Sequence, residues 1–423
     1  MKKRLKNRNH LKTVGACCGV VVGSIGAVHA DTMPTMEELQ KENLEMHRRL
    51  DTLEALAQKE GLLPSGTAPK MVSALSDLSI SGFVQASYFY NLNRPADNKS
   101  DGYLWNTTHN SFSINKIKLT LASPPVEHSG ENWSAGYRFS MIWGEDSPVL
   151  NTGSPSPGFE ALREAYVELN VPIGTGLDVK AGQLISLLNF ESGDGGAANP
   201  NFSQGFQWFY TGNGPSAGVQ LAYTFTDKVD AKVRVQNGLY GGPVDVNSAK
   251  TVMGSLDLKP DDKTWINLIG FGGDGVPVSK TLIGGSILAG RKFTDKIGTG
   301  FEFDYFHFDN KPAPNADLWS IGGWIWYDFT PKVGVAFRAE FLDDPDGFGI
   351  KGVGLPGASR AGSAILSPDA NGNLSSFTVT LNLKPTPNIK IQPEVRYDHT
   401  SYTGGFDGKK DRVTIGAGVS YLF

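Results

Sequence analysis

From Leu78 to the last residue, apolar side chains recur at every second position in stretches of about ten residues, and this period constrains the fold more than any other feature. Successive side chains of an extended strand point to opposite faces. In the stretch 78–91, Ile80, Val84, Ala86, Tyr88 and Tyr90 share one face while Ser79, Ser81, Gln85 and Ser87 share the other. In the stretch 412–423, Val413, Ile415, Ala417, Val419, Tyr421 and Phe423 alternate with Thr414, Gly416, Gly418, Ser420 and Leu422. About sixteen such stretches fit between Leu78 and Phe423, an even count. Connections after even-numbered stretches are short or moderate (172–176, 226–228, 259–263, 330–332, 385–388), whereas those after odd-numbered ones include 92–110, 187–215 and 344–374. A soluble sandwich alternates too, but has no need of short turns on one rim and long loops on the other. The pattern predicts an all-β fold: a transmembrane antiparallel up-and-down β-barrel of about 16 strands over 78–423, with both ends of the sheet on the periplasmic side.

Three of the short turns share a pattern. Phe225-Thr226-Asp227-Lys228, Phe293-Thr294-Asp295-Lys296 and Phe329-Thr330-Pro331-Lys332 each end a strand on an aromatic, turn, and restart on Val or Ile. Aromatic rings at a common height suit a membrane interface, so outer-membrane lipid is the expected surround. The opposite face carries Lys116, Lys118 and Thr120, then Arg138, Glu164 and Glu168, Asp178 and Lys180, Lys232 and Arg234, Glu302 and Asp304, Arg338 and Glu340, Lys384, Lys390, Glu394 and Arg396. In a barrel of this size these side chains line water. Both signs occur in similar numbers, so no strong ion preference follows.

The first thirty residues read as a signal peptide. Lys2, Lys3, Arg4, Lys6, Arg8 and Lys12 form a basic region, 13–27 is uncharged, and Val28-His29-Ala30 fits a small-residue cleavage site. A lipoprotein cut before Cys17 would leave too short an apolar stretch after Lys12. Six of the 39 Lys and Arg and none of the 43 Asp and Glu precede Asp31, which leaves a mature formal charge of −10 and nothing that favours nucleic acid. Both Cys lie within that leader, which excludes a disulfide framework, a thiolate metal site and a Cys nucleophile from the processed chain. No apolar run is long enough for a membrane-spanning helix.

Residues 31–60 predict a periplasmic coiled-coil helix. Met36, Leu39, Asn43, Met46, Leu50, Leu53 and Ala57 alternate spacings of three and four, a seam of about three heptads. An Asn at the seam selects register, and Arg49 can reach Glu54 of a parallel partner, so the seam is expected to hold protomers together. A single amphipathic helix on a solvated surface satisfies the same pattern. Gly61 ends the helix, and Pro64, Gly66 and Pro69 make 61–77 a linker.

The catalytic patterns find no support. Gly214-Pro215-Ser216-Ala217-Gly218 has the spacing of a nucleophile elbow but leads into a strand with no helix after it. The three-Gly patterns at 270–275 and 352–357 open no helix. Asp343, Asp344 and Asp346 lack the closing Glu of a calcium loop, since position 355 is Leu. His109, His128, His307 and His399 show no metal-ligand spacing, so neither a metal nor a cofactor is expected.

The connection 187–215 holds Phe190, Phe202, Phe206, Trp208, Phe209 and Tyr210, too many aromatics for a chain that stays in water. It is expected to fold into the lumen, with Glu191 and Asp194 near the narrowest point, facing Arg138, Lys116, Lys118, Lys232 and Arg234 across a transverse field. Packing over the barrel mouth, or against a neighbouring protomer, is the other arrangement the residues allow.

Ser81-Gly82-Phe83-Val84-Gln85-Ala86-Ser87-Tyr88-Phe89-Tyr90-Asn91 and Asn110-Ser111-Phe112-Ser113-Ile114-Asn115 resemble the OmpL-like β-barrel porins. Gly144-Glu145-Asp146 and Glu340-Phe341-Leu342-Asp343-Asp344-Pro345-Asp346-Gly347 do so less specifically, and the likeness runs through most of 78–423. The ending Tyr421-Leu422-Phe423 resembles the aromatic signal by which the barrel-assembly machinery recognises its substrates. The resemblance implies a passive outer-membrane channel for small hydrophilic solutes or ions, not an enzyme. A homo-oligomer, a trimer by analogy with porins of this size, is expected. An anchor contacting the cell wall through the N-terminal helix, and an outer-membrane barrel hydrolase, are the rival readings.

Overall fold

The computed structural model of the chain describes residues 45, 78–103, 105–147, 158–212, 214–239, 242–245, 248–273, 281–309, 314–347, 372–402 and 405–423. The chain divides into two units, Met1–Leu75 and Ser76–Phe423. Of the first, Glu45 alone is described, in helical conformation. The expected signal segment, the expected seam residues Leu39, Asn43, Met46, Leu50 and Leu53, and the expected linker lie outside the described residues.

In the second unit sixteen strands run in chain order: β1 (Ser79–Asn91), β2 (Ser111–Ala122), β3 (Ser134–Trp143), β4 (Leu162–Val171), β5 (Leu177–Leu184), β6 (Ser216–Thr226), β7 (Val229–Gln236), β8 (Thr251–Asp261), β9 (Thr264–Gly273), β10 (Thr281–Lys292), β11 (Ile297–Asp309), β12 (Ala316–Thr330), β13 (Val333–Asp344), β14 (Gly372–Thr386), β15 (Ile389–Thr400) and β16 (Asp411–Leu422). Each pairs antiparallel with its sequence neighbours, and β16 returns to β1, so the sheet closes and has no edge. The last residue completes that seam: Phe423 N donates to Gly82 O at 3.0 Å and Gly82 N to Phe423 O at 2.9 Å.

The two faces of the sheet have opposite chemistry. Val84, Ile117, Val167, Val219, Leu268, Ile325, Phe377 and Ile415 are exposed outward, while Gln85, Ser87, Thr120, Ser140, Gln220, Ser320, Thr378, Thr414 and Ser420 are buried within. That inversion of the soluble pattern suits a closed sheet surrounded by hydrocarbon. Strict alternation fails in β2, where Ile114 points outward and both Asn115 and Lys116 point inward. A bulge opposite Gln85 and Ala86 resets the parity.

The repeated turns share one physical cause. Thr226, Thr294 and Thr330 each accept at Oγ1 the backbone N–H of the Lys two residues on, at 3.2 Å in all three, which closes the hairpin without a left-handed residue. Phe225, Phe293 and Phe329 stand exposed at this turn rim, as do Tyr421 and Phe423.

Apolar packing lies inside the barrel, toward the loop rim. Tyr103 and Trp105 of the β1–β2 connection, Leu188, Phe206, Phe209 and Tyr210 of the β5–β6 connection, and Phe406 of the β15–β16 connection pack with Phe271, Leu282, Phe306, Phe308, Leu318, Leu342 and Leu374 of β9–β14.

Candidate functional site in the barrel lumen

The connection from β5 to β6 leaves the wall after Leu184, makes a 3-10 turn at Gly195–Ala197 and a short helix α1 (Phe206–Tyr210), and re-enters the sheet at Ser216. Irregular backbone at membrane depth is tolerated only where its polar groups find partners. Inward carboxylates of the wall supply acceptors for its N–H groups. Glu302 accepts from Phe190 N at 2.8 Å, Glu394 from Phe202 N at 2.8 Å, and Glu340 from Gln207 N at 3.1 Å. Asp304 accepts from Gln207 Nε2 at 3.0 Å and Thr211 Oγ1 at 2.8 Å. Inward bases supply donors for its carbonyls: Lys390 Nζ to Gly196 O and Asn199 O at 2.7 and 2.6 Å, Arg396 Nη1 to Gln204 O at 2.7 Å, and Arg234 Nη1 to Ile185 O at 2.7 Å. Arg338 donates to Ser203 O as well.

Steric fit completes the attachment. Three inner-face glycines sit where the connection presses closest: a Cβ at Gly300 would lie 2.2 Å from the Phe190 ring, at Gly322 2.1 Å from Gln207 Oε1, and at Gly418 1.8 Å from the Phe202 ring. Phe190 stacks on Trp324 with centroids 4.6 Å apart and on Trp265 at 5.9 Å. Trp208 packs on Trp105, and Phe206 on Phe406 and Tyr103.

The residues expected to line water therefore separate into two groups. Glu302, Asp304, Arg338, Glu340, Glu394 and Arg396 face inward but are buried beneath the connection, and hold it. Lys116 is buried against Asp146 at 2.8 Å with the Trp105 ring 4.2 Å away, and Arg234 is buried against Gln220. Along β3–β8 several of these side chains keep contact with solvent: Arg138 on Glu164 at 2.9 Å with 36% of the arginine exposed, Lys180 at 3.4 Å from Glu168, and Lys232 on Asp257; Lys384, at the turn end of β14, is exposed as well.

The expected facing of acids against bases is corrected in the same way. Glu191 does not face open lumen; it is 3% exposed and bound to Arg338 on β13, because the connection crosses to the far wall instead of hanging beside β3. Asp194 keeps 26% exposure, but Lys118 touches it at 2.7 Å and no water gap separates them. Arg138, Lys232 and Arg234 pair with their own strand neighbours.

Sequence reasoning passed over the inner-face tryptophans. Trp324 and Trp326 alternate along β12 with the outward Ile325 and Tyr327, a parity that would have placed them in the lumen. With Phe190, Trp265, Asp328, Lys384 and Lys390 of the same half, Trp326 lines a cavity of about 440 Å³ on the turn side of the connection.

The β1–β2 and β15–β16 connections meet over the loop rim. Tyr103 Oη donates to Asp398 at 2.6 Å, Asn93 Nδ2 donates to Phe406 O at 3.1 Å, and Arg412 donates to Asp101 O. Half-burial, and then the Asp407 and Asp97 carboxylates, push the Asp101 carboxyl up to about 6.

Comparison with known proteins bears on this barrel. The family model described as "Putative beta-barrel porin-2, OmpL-like" matches residues 77–423. Among solved structures, the outer membrane channel DcaP of Acinetobacter baumannii superposes with a TM-score of 0.53 at 14% identity, over 82% of this chain and 97% of that one. An anion-selective porin from Comamonas acidovorans gives 0.52 at 10% identity, over 82% and 99%. OmpT, an outer membrane protein of Vibrio cholerae in its trimer form, gives 0.53 at 10% identity, again over 82% and 99%. At these identities the likeness is one of fold. Among curated protein sequences none matches.

Proposed function

Since the chain belongs to the OmpL-like β-barrel porin family, a family of outer-membrane channels, we propose that its barrel passes small hydrophilic solutes or ions by passive diffusion. The observation that carries this reading is the division of the lumen. The β5–β6 connection is bound chiefly to β11–β16, with single ties to β2 through Lys118 and to β7 through Arg234, and the solvent-contacting ion pairs Arg138–Glu164, Lys180–Glu168 and Lys232–Asp257 lie along the other wall. Solute then passes between that wall and the Asp194 edge of the connection, which acts as the constriction. Charged pairs along a path with low-dielectric walls hold water and orient dipolar solutes.

The turn rim is periplasmic in this reading, with aromatic residues at the lipid interface and Phe423 as the assembly signal. The chain assembles as a homo-oligomer of three, in keeping with the trimer form of the OmpT structure, and the seam over 31–60 holds the protomers. Purified protein added to a planar lipid bilayer is expected to give discrete conductance steps. Insertion without steps would defeat the channel reading in favour of a structural anchor. Loss of the oligomer in a version starting at Leu78 supports the seam's role, and an unchanged oligomer removes it.

A further inference from the structure

We propose that His128, Glu168 and Asp178 form a binding site for a divalent transition-metal ion of the zinc class, set in the lumen wall at the turn rim. One ligand atom from each of the three lies within 4.8 Å of the others. They come from three elements: His128 from the β2–β3 turn, Glu168 from the end of β4, and Asp178 from the start of β5. No spacing within one element betrays the group, which is why the sequence shows no metal motif.

Distance and chemistry favour a metal over a plain ion pair. His128 Nε2 stands 3.5 Å from Glu168 Oε1, long for a hydrogen bond. It matches the edge of about 3.4 Å that a tetrahedron has when its metal bonds are ~2.1 Å. The Asp178 side chain is 13% exposed, and its Oδ1 accepts from no N–H or hydroxyl and faces the Glu168 carboxylate. A buried carboxylate oxygen without a partner is costly, and a cation seated between it and Glu168 removes that cost. One imidazole nitrogen and two carboxylates, with the remaining positions left to water, suit zinc better than magnesium or calcium, which take oxygen ligands.

The turn that carries His128 is fixed in place. Asn170, fully buried on β4, donates through Nδ2 to Ser129 O at 2.9 Å and Asn132 O at 2.7 Å, and accepts from Ser129 N at 3.3 Å. Gly176 permits this approach: its φ is +102°, and a Cβ there would meet Asn170 Oδ1 at 2.5 Å and Ser129 N at 2.7 Å. The backbone of the turn is thereby held against β4, with the half-exposed His128 side chain beside Glu168.

Lys180 is the competitor. Its Nζ lies 3.4 Å from Glu168 and 3.9 Å from Asp178, with the Tyr166 ring 5.3 Å away on its other side. An entering metal takes over the two carboxylates and turns the ammonium toward Tyr166 and the lumen. The site therefore couples metal occupancy to the position of a pore-facing positive charge.

Zinc chloride titrated into the full chain in detergent, followed by calorimetry, tests the site. The wild type is expected to take up one zinc per chain and no magnesium. His128→Ala, on an exposed turn, should weaken zinc binding by at least about tenfold, while Lys180→Met tightens it. No zinc uptake, uptake unchanged by His128→Ala, equal uptake of magnesium, or weaker binding in Lys180→Met would each overturn the proposal.

Discussion

Arg338 Nη1 donates to Glu191 Oε1 at 2.6 Å with both side chains closed to solvent, and so a base of β13 is joined to an acid from the β5–β6 connection across the lumen. Glu191 also binds the connection to itself, its Oε2 accepting from Gly205 N at 2.8 Å, and to β12, its Oε1 accepting from Trp324 Nε1 at 3.2 Å. Removing one partner of such a buried pair costs about 3–5 kcal/mol, because the other charge is stranded. Glu340, 3.0 Å from Arg338 Nε, remains as a second partner and brings the loss to the low end of that range. Glu191→Ala is therefore expected to free the connection while the barrel persists. Limited proteolysis should then cut within 185–215, and single-channel current should become noisier. A connection as resistant as the parent's would show that Glu191 is not its anchor.

Gly418 gives an independent test of the same attachment. A Cβ there would overlap the Phe202 ring, so Gly418→Ala should destabilise the seated connection by about 1–3 kcal/mol. Shrinking the ring should make room: Phe202→Ala combined with Gly418→Ala is expected to be less damaged than the sum of the two single variants. Additive losses in thermal unfolding would mean that the two residues do not press on each other.

How much of this was legible in the sequence depends on distance along the chain. Strand identity and facing rest on neighbours two apart, and the alternation from Gln85 to Asn91 or from Thr414 to Ser420 is visible without any tertiary knowledge. The bulge at Asn115 was not, because one extra residue leaves no mark except the outward Ile114 beside the inward Lys116. The aromatic load of 187–215 pointed inward, but the wall it would meet could not be read. Arg138 and Arg338 are equivalent as inward bases in a one-dimensional pattern. Only barrel closure places β13 under Glu191 and leaves Arg138 with Glu164. The glycine sockets at 300, 322 and 418 look like ordinary glycines of a glycine-rich chain until their partners are known. His128, Glu168 and Asp178 meet for the same tertiary reason.

Arg138 should govern ion selectivity. It is the solvent-contacting base of β3, paired with Glu164 on β4, and Arg138→Glu replaces an ion pair with two like charges beside the path. The reversal potential in a salt gradient is expected to move toward cations. Screening shortens to about 3 Å at 1 M salt from ~10 Å at 0.1 M, so the shift should be larger in dilute salt. Arg234→Gln, at a base buried against Gln220, should leave selectivity unchanged in the same measurement. If Arg138→Glu selects like the parent, the solute path does not run along β3.

The loop rim should respond to pH through Asp101. Half-burial raises its carboxyl to about 6, with Asp407 and Asp97 adding to the shift, so the docked β1–β2 and β15–β16 connections bind its proton more tightly than an undocked chain does. The sign follows from linkage: protonation favours docking, which gains as pH falls through about 6 and reaches its full extent below the ordinary value of 3.8. At neutral pH the ionised group opposes docking, held in check by the Arg412 contact with Asp101 O. Amide exchange in 94–103 is expected to slow, beyond the intrinsic effect of acid, between pH 7.5 and pH 5. Asp101→Asn imitates the protonated acid and should show the slower exchange already at pH 7.5, with no further step near pH 6. A variant that keeps the step would assign it to Asp407, whose carboxyl burial also raises.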